Sequence, residues 1–350
     1  MKQVLVVGAG ISGCILTYQL LKKGCSVTLL DSGENFSSTV AAGQINPLVF
    51  RRMTLSWRVD DFLPKANSFY RALEEESQIP FIHNKFIRRI FSHQEERELW
   101  LQKQDQESFA PYMHPLTEED DQFNSANNIC GSGRVKQSYY VDSISFLKGI
   151  KKAISANQHA HLLSQQLDYS KLNPETATID GIDYDEVIFC EGFQNYLNPW
   201  FGHYPVTCTK GQTLTIASNE IYDKESLNRK CFVLPLEKGV FKVGSTYEWD
   251  QTDTSITKEG RKEIEENLAK LTSGAYAVIK QEAGIRPTTR DRRPIIGRHT
   301  EFNKLSIFNG LGAKGYLLAP KLVEEFVDYL LEGKGLDKEV DLARIKGIKK

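Results

Sequence analysis

A glycine-rich turn between two short apolar runs constrains this chain more than any other feature. Residues 4–13 read V-L-V-V-G-A-G-I-S-G, and residues 14–23 continue with the apolar spacing of an amphipathic helix. A second apolar run, residues 26–30, ends at Asp31. This order of strand, G-x-G-x-x-G turn, helix, strand and acid predicts a β-α-β unit that binds a dinucleotide.

Each part of the turn has a physical role in this prediction. Gly8 permits the tight turn, Gly10 lets a pyrophosphate approach the backbone, and Gly13 lets helix and strand pack closely. The N–H groups at the start of the helix attract phosphate oxygens. Asp31 is placed to accept a hydrogen bond from a ribose hydroxyl. The predicted contacts in this unit are Gly8, Ala9, Gly10, Ile11, Ser12, Gly13, Asp31 and Ser32.

The uncharged stretch at residues 3–21 raises the alternative of a signal peptide or a membrane span. Three glycines together with Ser12, Thr17 and Gln19 make it a poor span. No small-residue cleavage site follows it. We therefore expect no membrane span, with the cytoplasm as the default location.

Composition narrows the function classes further. A chain of 350 residues is long enough for about two domains. Its net charge of −1 disfavours a protein built mainly to hold nucleic acid through phosphates. The six cysteines form no C-x-x-C motif, and no histidine cluster has zinc spacing, so we expect a reducing compartment, no disulfides and no metal.

The remaining pattern predicts an α+β fold. Helices are predicted over residues 60–76, 143–157, 258–271 and 316–331. Strands are predicted over residues 85–91, 135–141, 161–167, 186–190, 206–216, 231–236, 240–247, 277–289 and 305–308. Residues 37–47 are expected to form a loop whose backbone can lie against a ligand, with an ordinary connection as the alternative. Residues 95–121 are expected to form a surface helix and loop. Since α/β units flank alternating runs, we expect a nucleotide domain interrupted by a mostly antiparallel second domain.

Four further segments carry a family resemblance. They are A-A-G at 41–43, V-I-F-C-E-G-F at 187–193, A-G-I-R-P-T-T-R-D-R-R-P-I-I-G at 283–297 and G-L-G-A-K-G-Y-L-L-A-P at 310–320. With the first turn, they resemble the D-amino acid oxidase and glycine oxidase superfamily in order and spread. The resemblance implies bound FAD and a discontinuous Rossmann-like FAD-binding domain of residues 1–60, 135–204 and 284–350. Residues 61–134 and 205–283 would form the substrate-binding domain.

The resemblance also implies site residues and a reaction. Further FAD contacts are expected at Ala42, Gly43, Gln44, Leu167, Gly192, Gly312, Ala313, Lys314, Gly315 and Tyr316. The implied reaction oxidises the C–N bond of an amino acid or secondary amine that carries a carboxylate. Hydride would pass from Cα to flavin N5, and the imine would then hydrolyse. The partner implied is a small amine or amino acid, and no oligomeric state is predicted.

Four residues are candidates for catalysis. Arg286 is implied to bind the substrate carboxylate through two parallel hydrogen bonds, although it could instead pair with Asp291 or Glu282. Lys314 could add charge near the flavin, act in oxygen activation, or be an exposed lysine. Phe232 stands where the amino acid oxidases present a tyrosine. Thr246, together with Tyr247 and Glu248, could line the pocket.

Two further residues have alternative roles. Glu191 replaces a small residue before Gly192, where a carboxylate would shift the redox balance of FAD or pair with a cation. His299 is expected at the surface, with a position facing the site as the alternative.

Two alternative functions follow from the same segments. Residues 310–315 and 44–47 also resemble the oxidase domain of the bifunctional enzyme that modifies tRNA wobble uridines. Under that alternative the chain is a tRNA-directed oxidase that removes a carboxymethyl group, and nucleic acid is a partner. The second alternative is a non-catalytic flavin-binding protein.

Overall fold

The computed structural model describes residues 1–33, 36–123 and 130–345. Its α-helices are α1 (Ile11–Lys22), α2 (Phe36–Val40), α3 (Val59–Ser77), α4 (Gln94–Lys103), α5 (Glu118–Gln122), α6 (Ser143–Ser155), α7 (Lys258–Leu268) and α8 (Gly315–Glu332). Its strands are β1 (Gln3–Val7), β2 (Ser26–Leu30), β3 (Gln44–Ile45), β4 (Leu48–Val49), β5 (Thr54–Leu55), β6 (Ile82–His83), β7 (Ile87–Ile90), β8 (Ser132–Val135), β9 (Tyr139–Val141), β10 (Ala160–Leu163), β11 (Leu172–Asn173), β12 (Thr178–Ile179), β13 (Ile182–Asp183), β14 (Glu186–Phe189), β15 (Thr207–Ala217), β16 (Ser226–Asn228), β17 (Phe232–Glu237), β18 (Val240–Gly244), β19 (Glu248–Trp249), β20 (Ala277–Thr288), β21 (Ile295–Arg298) and β22 (Leu305–Asn309).

The first sheet has six strands in the order β10-β2-β1-β14-β22-β21. All neighbours pair in parallel except β21, which runs antiparallel to β22. Strand β1 buries four successive apolar side chains, as expected for a parallel strand covered on both faces. Because carboxyl ends of parallel strands meet at one edge, the segments that follow β1, β2, β10, β14 and β22 converge there.

Helices α1, α3, α6 and α8 pack together beside this sheet. In α3 the buried side chains recur every three or four residues, so one face enters the core. They include Phe62, Ala66, Phe69, Tyr70 and Leu73. Tyr70 also donates a hydrogen bond to the carbonyl oxygen of Tyr316 at 2.7 Å, which ties α3 to the start of α8.

The second sheet runs β19-β15-β18-β17-β16-β7-β8, with β20 paired to β15. Its pairings are antiparallel apart from β16 with β7. The apolar side chains of one face pack with Ile264 and Leu268 of α7. The register aligns Arg89, Asn228, Phe232 and Gly244 across four neighbouring strands.

The mixed α/β architecture with a mostly antiparallel second sheet agrees with the prediction. Three local expectations are wrong. Residues 135–141 form two strands instead of one, because the chain turns at Gln137, whose φ is 55°. Residues 37–47 include most of α2 and all of β3 instead of forming a loop throughout. Residues 95–121 are not simply surface, because Trp100 is fully buried.

The predicted domain boundaries remain a prediction. Strand β20 runs across the boundary at residue 284, so Arg286 belongs to the second sheet. All six cysteines lie in the described part of the chain and are free thiols. Among the described residues no helix is both long and apolar enough to span a bilayer, and no cluster of three metal-ligating side chains is found.

Candidate active site

A cavity of about 400 Å³ lies where the carboxyl edge of the first sheet meets the second sheet. The predicted residues that line it are Gly8, Gly10, Ile11, Ser12, Asp31, Ser32, Ala42, Gly43, Gln44, Leu167, Gly192, Phe232, Arg286, Gly312, Ala313, Lys314, Gly315 and Tyr316. Segments far apart in the sequence therefore meet around one space. Ala9, Gly13 and Thr246 are not among the lining residues.

The glycine turn forms a close-packed junction under the cavity. Gly8 has φ of +99°, and a Cβ there would lie 2.6 Å from the carbonyl oxygen of Cys190. A Cβ at Gly13 would lie 1.8 Å from the carbonyl oxygen of Gly8. Both positions therefore require glycine, and Gly13 provides the close packing between helix and strand that the sequence predicts.

The start of α1 opens onto this cavity. No side chain caps the helix at Gly10, and the Ile11 N–H donates a hydrogen bond to Ser38 Oγ at 3.0 Å. Asp31 lies at the end of β2, with its carboxylate 3.6 Å from Lys151 Nζ. Ser38 is not among the predicted site residues, because for residues 37–47 the sequence indicates only that the backbone can lie against a ligand.

Arg286 enters the cavity from β20 above a glycine. A Cβ at Gly211 would lie 2.1 Å from its Nη2, so Gly211 provides the space that the guanidinium occupies. Nη2 donates to Ser245 Oγ at 2.6 Å and Nη1 to the Thr246 carbonyl oxygen at 3.4 Å. The guanidinium lies 4.4 Å from the ring centroid of Tyr247, within the range of a cation–π contact.

The predicted alternative partners of Arg286 bind elsewhere. Asp291 pairs with Arg344 at 3.2 Å, and Glu282 pairs with Lys280 at 2.7 Å. Among the described residues Arg286 forms no ion pair, and burial lowers its pKa. A sheltered cation without an anionic partner is costly unless a ligand supplies one. The geometry therefore suits capture of an anion.

Lys314 lies on the short turn before α8, and its ammonium group donates hydrogen bonds to residues 46–56 instead of pairing with an acid. Its Nζ donates to the carbonyl oxygens of Asn46 at 3.1 Å and Leu48 at 3.4 Å, and also to Ser56 Oγ. All three acceptors are neutral, and burial of the ammonium group lowers its pKa to about 8. The exposed-lysine alternative is excluded, because Lys314 fastens residues 46–56 to the cavity.

Replacing Lys314 with methionine should make the free energy of unfolding less dependent on pH between pH 8 and 10.5. The folded chain binds this proton less tightly than the unfolded chain, so wild-type stability rises between pH 8 and 10.5. We expect that rise to shrink by about 3 kcal/mol in the variant. Urea unfolding at several pH values checks this, with the exposed Lys262→Met as control. An unchanged pH slope in Lys314→Met would contradict it.

Glu191 lines the cavity beside Gly192 with neutral partners. Tyr169 donates a hydrogen bond to one carboxylate oxygen at 2.5 Å and Asn198 Nδ2 to the other at 2.8 Å. Burial raises the pKa of Glu191 to about 7. No basic side chain among the described residues forms an ion pair with it, so this chain supplies no cation there for the second of the two alternative roles.

Replacing Glu191 with glutamine should remove a contribution to the free energy of unfolding that the wild type has at acidic pH. The folded chain binds this proton more tightly, so its contribution to stability is full below pH 4.5 and is lost as the pH rises to about 7. We expect the difference in unfolding free energy between wild type and variant to change by about 3 kcal/mol across that range. Thermal unfolding from pH 4.5 to 8 measures it, with the exposed Glu175→Gln as control. If the stabilities of the wild type and Glu191→Gln changed in parallel with pH, the raised pKa of Glu191 would be refuted.

The other two catalytic candidates differ in position. Phe232 lines the cavity on β17. The hydroxyl of Thr246 accepts from the Gln212 N–H at 2.9 Å and donates to Glu248 at 2.8 Å, so it points into the sheet. Thr246 meets Arg286 through its backbone, because its carbonyl oxygen accepts a hydrogen bond from Nη1 at 3.4 Å. A catalytic role for Thr246 stays a prediction.

Sequence reasoning missed several contacts and misplaced one residue. Ser245 and Gly211 hold the guanidinium, and Tyr169 holds Glu191, but no motif marks them. They become visible only once the strands are paired in register. His299 is buried instead of exposed. Its Nδ1 accepts hydrogen bonds from the backbone N–H groups of Glu301 and Phe302, which satisfy this nitrogen in the interior.

Comparison with known proteins gives relatives along nearly the whole chain. The glycine oxidase of Bacillus subtilis is 25% identical, over 91% of this chain and 90% of that protein. The tRNA 5-methylaminomethyl-2-thiouridine biosynthesis bifunctional protein MnmC of Legionella pneumophila is 25% identical over 85% of this chain but only 45% of that protein. The crystal structure of glycine oxidase from Geobacillus kaustophilus superposes with a TM-score of 0.83 at 18% identity, covering 99% of this chain and 100% of that one.

The fold of this chain is thus that of a glycine oxidase structure, and the resemblance noted in the sequence is confirmed. The family model described as FAD dependent oxidoreductase, DAO, matches residues 3–327. That match includes the glycine turn, Glu191, Arg286 and Lys314. This chain belongs to the DAO family of FAD-dependent oxidoreductases.

Proposed function

We propose that this chain binds FAD and oxidises the C–N bond of a small amine that carries a carboxylate. The observation that carries the proposal is the position of Arg286. Its guanidinium has no ion-pair partner among the described residues, and it opens into the same cavity as the glycine turn of β1 and α1. A dinucleotide and a carboxylate would therefore occupy one space.

The residues present fit FAD. The junction of Gly8 and Gly13 leaves no room for a Cβ, which brings bare backbone to the cavity wall. Asp31 lines the cavity at the end of β2, as a ribose-binding acid would. FAD would be held by residues 10–12, Asp31, residues 42–44 and residues 312–316. When bound, it supplies the two-electron acceptor that the oxidation of the C–N bond requires.

Arg286 has the geometry to orient such a substrate. Its Nη2 is held by Ser245 and its Nη1 by the Thr246 carbonyl, so the planar group is fixed before any ligand arrives. A fixed guanidinium grips a carboxylate with two parallel hydrogen bonds. Phe232 and Tyr247 supply aromatic walls beside it. The imine produced would be hydrolysed by water.

The turn before α8 adds an electrostatic contribution. Residues 312–315 line the cavity at the start of an 18-residue helix. The N–H groups of such a turn favour negative charge nearby. Lys314 contributes indirectly, since its ammonium holds the backbone of residues 46–48.

Spectroscopy of the purified protein tests this proposal. We expect a flavin absorption spectrum that bleaches on anaerobic titration with at least one of glycine, sarcosine, D-proline or D-alanine. A colourless protein that gains no chromophore after incubation with excess FAD would contradict the cofactor assignment. A yellow protein that no amine reduces would leave the non-catalytic flavin-binding alternative.

A tRNA-linked substrate is the second candidate. The observation that favours it is the Legionella relative, although this chain spans less than half of that protein. The group oxidised would still carry a carboxylate for Arg286 to bind. Bleaching that occurs only when tRNA bearing the carboxymethylaminomethyl group is added would favour this candidate over free amino acids.

A further inference from the structure

A second cleft, of about 640 Å³, lies beside the segment that Lys314 fastens. We call it the basic cleft. Its charged lining residues are the cationic or titratable Arg51, Arg52, Arg89, His93, Arg229 and Lys230 and the acidic Glu95 and Glu96. Cations therefore outnumber acids here, in a chain whose net charge is −1.

The two acids of the basic cleft already have partners. Glu96 pairs with Arg89 at 2.7 Å, and Glu95 lies 2.9 Å from His93 Nδ1. By contrast, Arg51, Arg52, Arg229 and Lys230 form no ion pair within residues 1–33, 36–123 and 130–345. Four positive charges of the cleft are thus left without a neutralising acid from the described chain.

One of these cations is held in place by neutral groups. Arg229 donates to Ser92 Oγ at 3.4 Å, to the Ser92 carbonyl oxygen at 3.3 Å and to the Lys270 carbonyl oxygen at 3.1 Å. These bonds orient the guanidinium but leave its charge uncompensated. The fold therefore fixes the position of the Arg229 guanidinium in the basic cleft.

The wall of the basic cleft is also fixed. Arg89 donates to Asn228 Oδ1 at 2.8 Å and to the Arg229 carbonyl oxygen at 2.6 Å. Its guanidinium lies 5.1 Å from the ring centroid of Phe50. Arg89 thereby joins strand β7 to β16 and to the segment that carries Arg51.

The basic cleft and the active-site cavity share one face of the second sheet. Arg89 is paired with Asn228, and Asn228 is paired with Phe232. Asn228 lines the cleft, whereas Phe232 lines the cavity. Two strand spacings separate Arg89 from Phe232, which is about 10 Å.

We propose that the basic cleft binds a phosphate group. A phosphate monoester carries close to two negative charges near neutral pH, and an RNA backbone carries one per phosphate in a row of phosphates. Both offer several strong acceptor oxygens, so either matches several unneutralised cations better than one carboxylate does. Arginine forks bind it with paired hydrogen bonds. The ligand is either a small phosphorylated molecule or the phosphodiester backbone of an RNA. This proposal stands apart from the reaction at Arg286.

The test uses FAD-saturated protein, so that the dinucleotide site is filled. Phosphorus NMR line broadening measures binding of inorganic phosphate, and fluorescence anisotropy measures binding of a labelled single-stranded RNA, both at constant ionic strength. The charge-removing variant is Arg51→Gln/Arg52→Gln, since both side chains are exposed. The matched control is Lys258→Gln/Lys262→Gln on the exposed face of α7.

We expect inorganic phosphate to bind the wild type, and its Kd to rise roughly tenfold in the arginine variant but not in the control. RNA is identified as the ligand if it binds and inorganic phosphate displaces it. The slope of log K against log[salt] should then be smaller by about 1.4 in the arginine variant. Phosphate binding without RNA binding identifies a small phosphorylated ligand. No phosphate binding, or equal losses in both variants, would overturn the proposal. Visible absorbance reports FAD occupancy separately.

Discussion

Replacing Arg286 with methionine is expected to lower kcat/KM for anaerobic flavin reduction by the best amino acid substrate roughly 100-fold or more. Removing one partner of a sheltered, hydrogen-bonded charge pair costs about 2–5 kcal/mol, and each 1.36 kcal/mol is about a factor of ten. Arg286→Lys should recover only part of the loss, because an ammonium group lacks the planar fork. Stopped-flow absorbance measures both variants.

A stability measurement separates this role from a structural one. Arg286 has no ion-pair partner among the described residues, so Arg286→Met should not lower the free energy of unfolding of the ligand-free chain. Arg290→Met provides the control, since Arg290 is exposed four residues further along the same segment. An Arg286→Met protein that keeps its KM for carboxylate substrates would remove the basis of the proposed function.

Replacing Gly13 with valine is expected to abolish FAD binding. A Cβ at this position would lie 1.8 Å from the carbonyl oxygen of Gly8, so α1 and the turn after β1 must separate. Overpacking of this kind costs about 1–3 kcal/mol of stability or more. The displaced turn would no longer present its backbone to a pyrophosphate. Protein-bound absorbance after gel filtration with excess FAD measures the loss.

The control for this variant is a glycine with free space around it. A Cβ at Gly335 would meet nothing within 4 Å, and its φ is not positive. Gly335→Ala should therefore bind FAD like the wild type and unfold at nearly the same temperature. A Gly13→Val protein that remains yellow would show that the glycine turn is not the cofactor cradle.

The parts of the fold set by local pattern could be predicted from the sequence. The strand-turn-helix-strand order around Gly8 and the apolar spacing of α3 are local properties, and both lie where the pattern indicates. The break between β8 and β9 was missed, because Gln137 takes a left-handed conformation that neither glycine nor proline announces. His299 was misplaced because its partners are backbone N–H groups, which the sequence does not distinguish.

The candidate site was predictable to the extent that motifs mark it. Arg286 was found through its segment, but its surroundings depend on strand register. Thr209 faces Arg286 across the β15–β20 pair, which places Gly211 below the guanidinium. The partners of Lys314 come from a segment more than 250 residues earlier. Contacts of this kind depend on the tertiary fold.

The space that Gly211 leaves beneath Arg286 limits which substitutions this cavity can accept during evolution. With no side chain at residue 211, the guanidinium fills the gap itself. A smaller residue at 286 alone leaves a void, and a larger residue at 211 alone expels the arginine. A descendant that replaces Arg286 with a small residue would therefore be expected to enlarge residue 211 as well, so this paired substitution would mark a change of preference toward amines without a carboxylate during evolution.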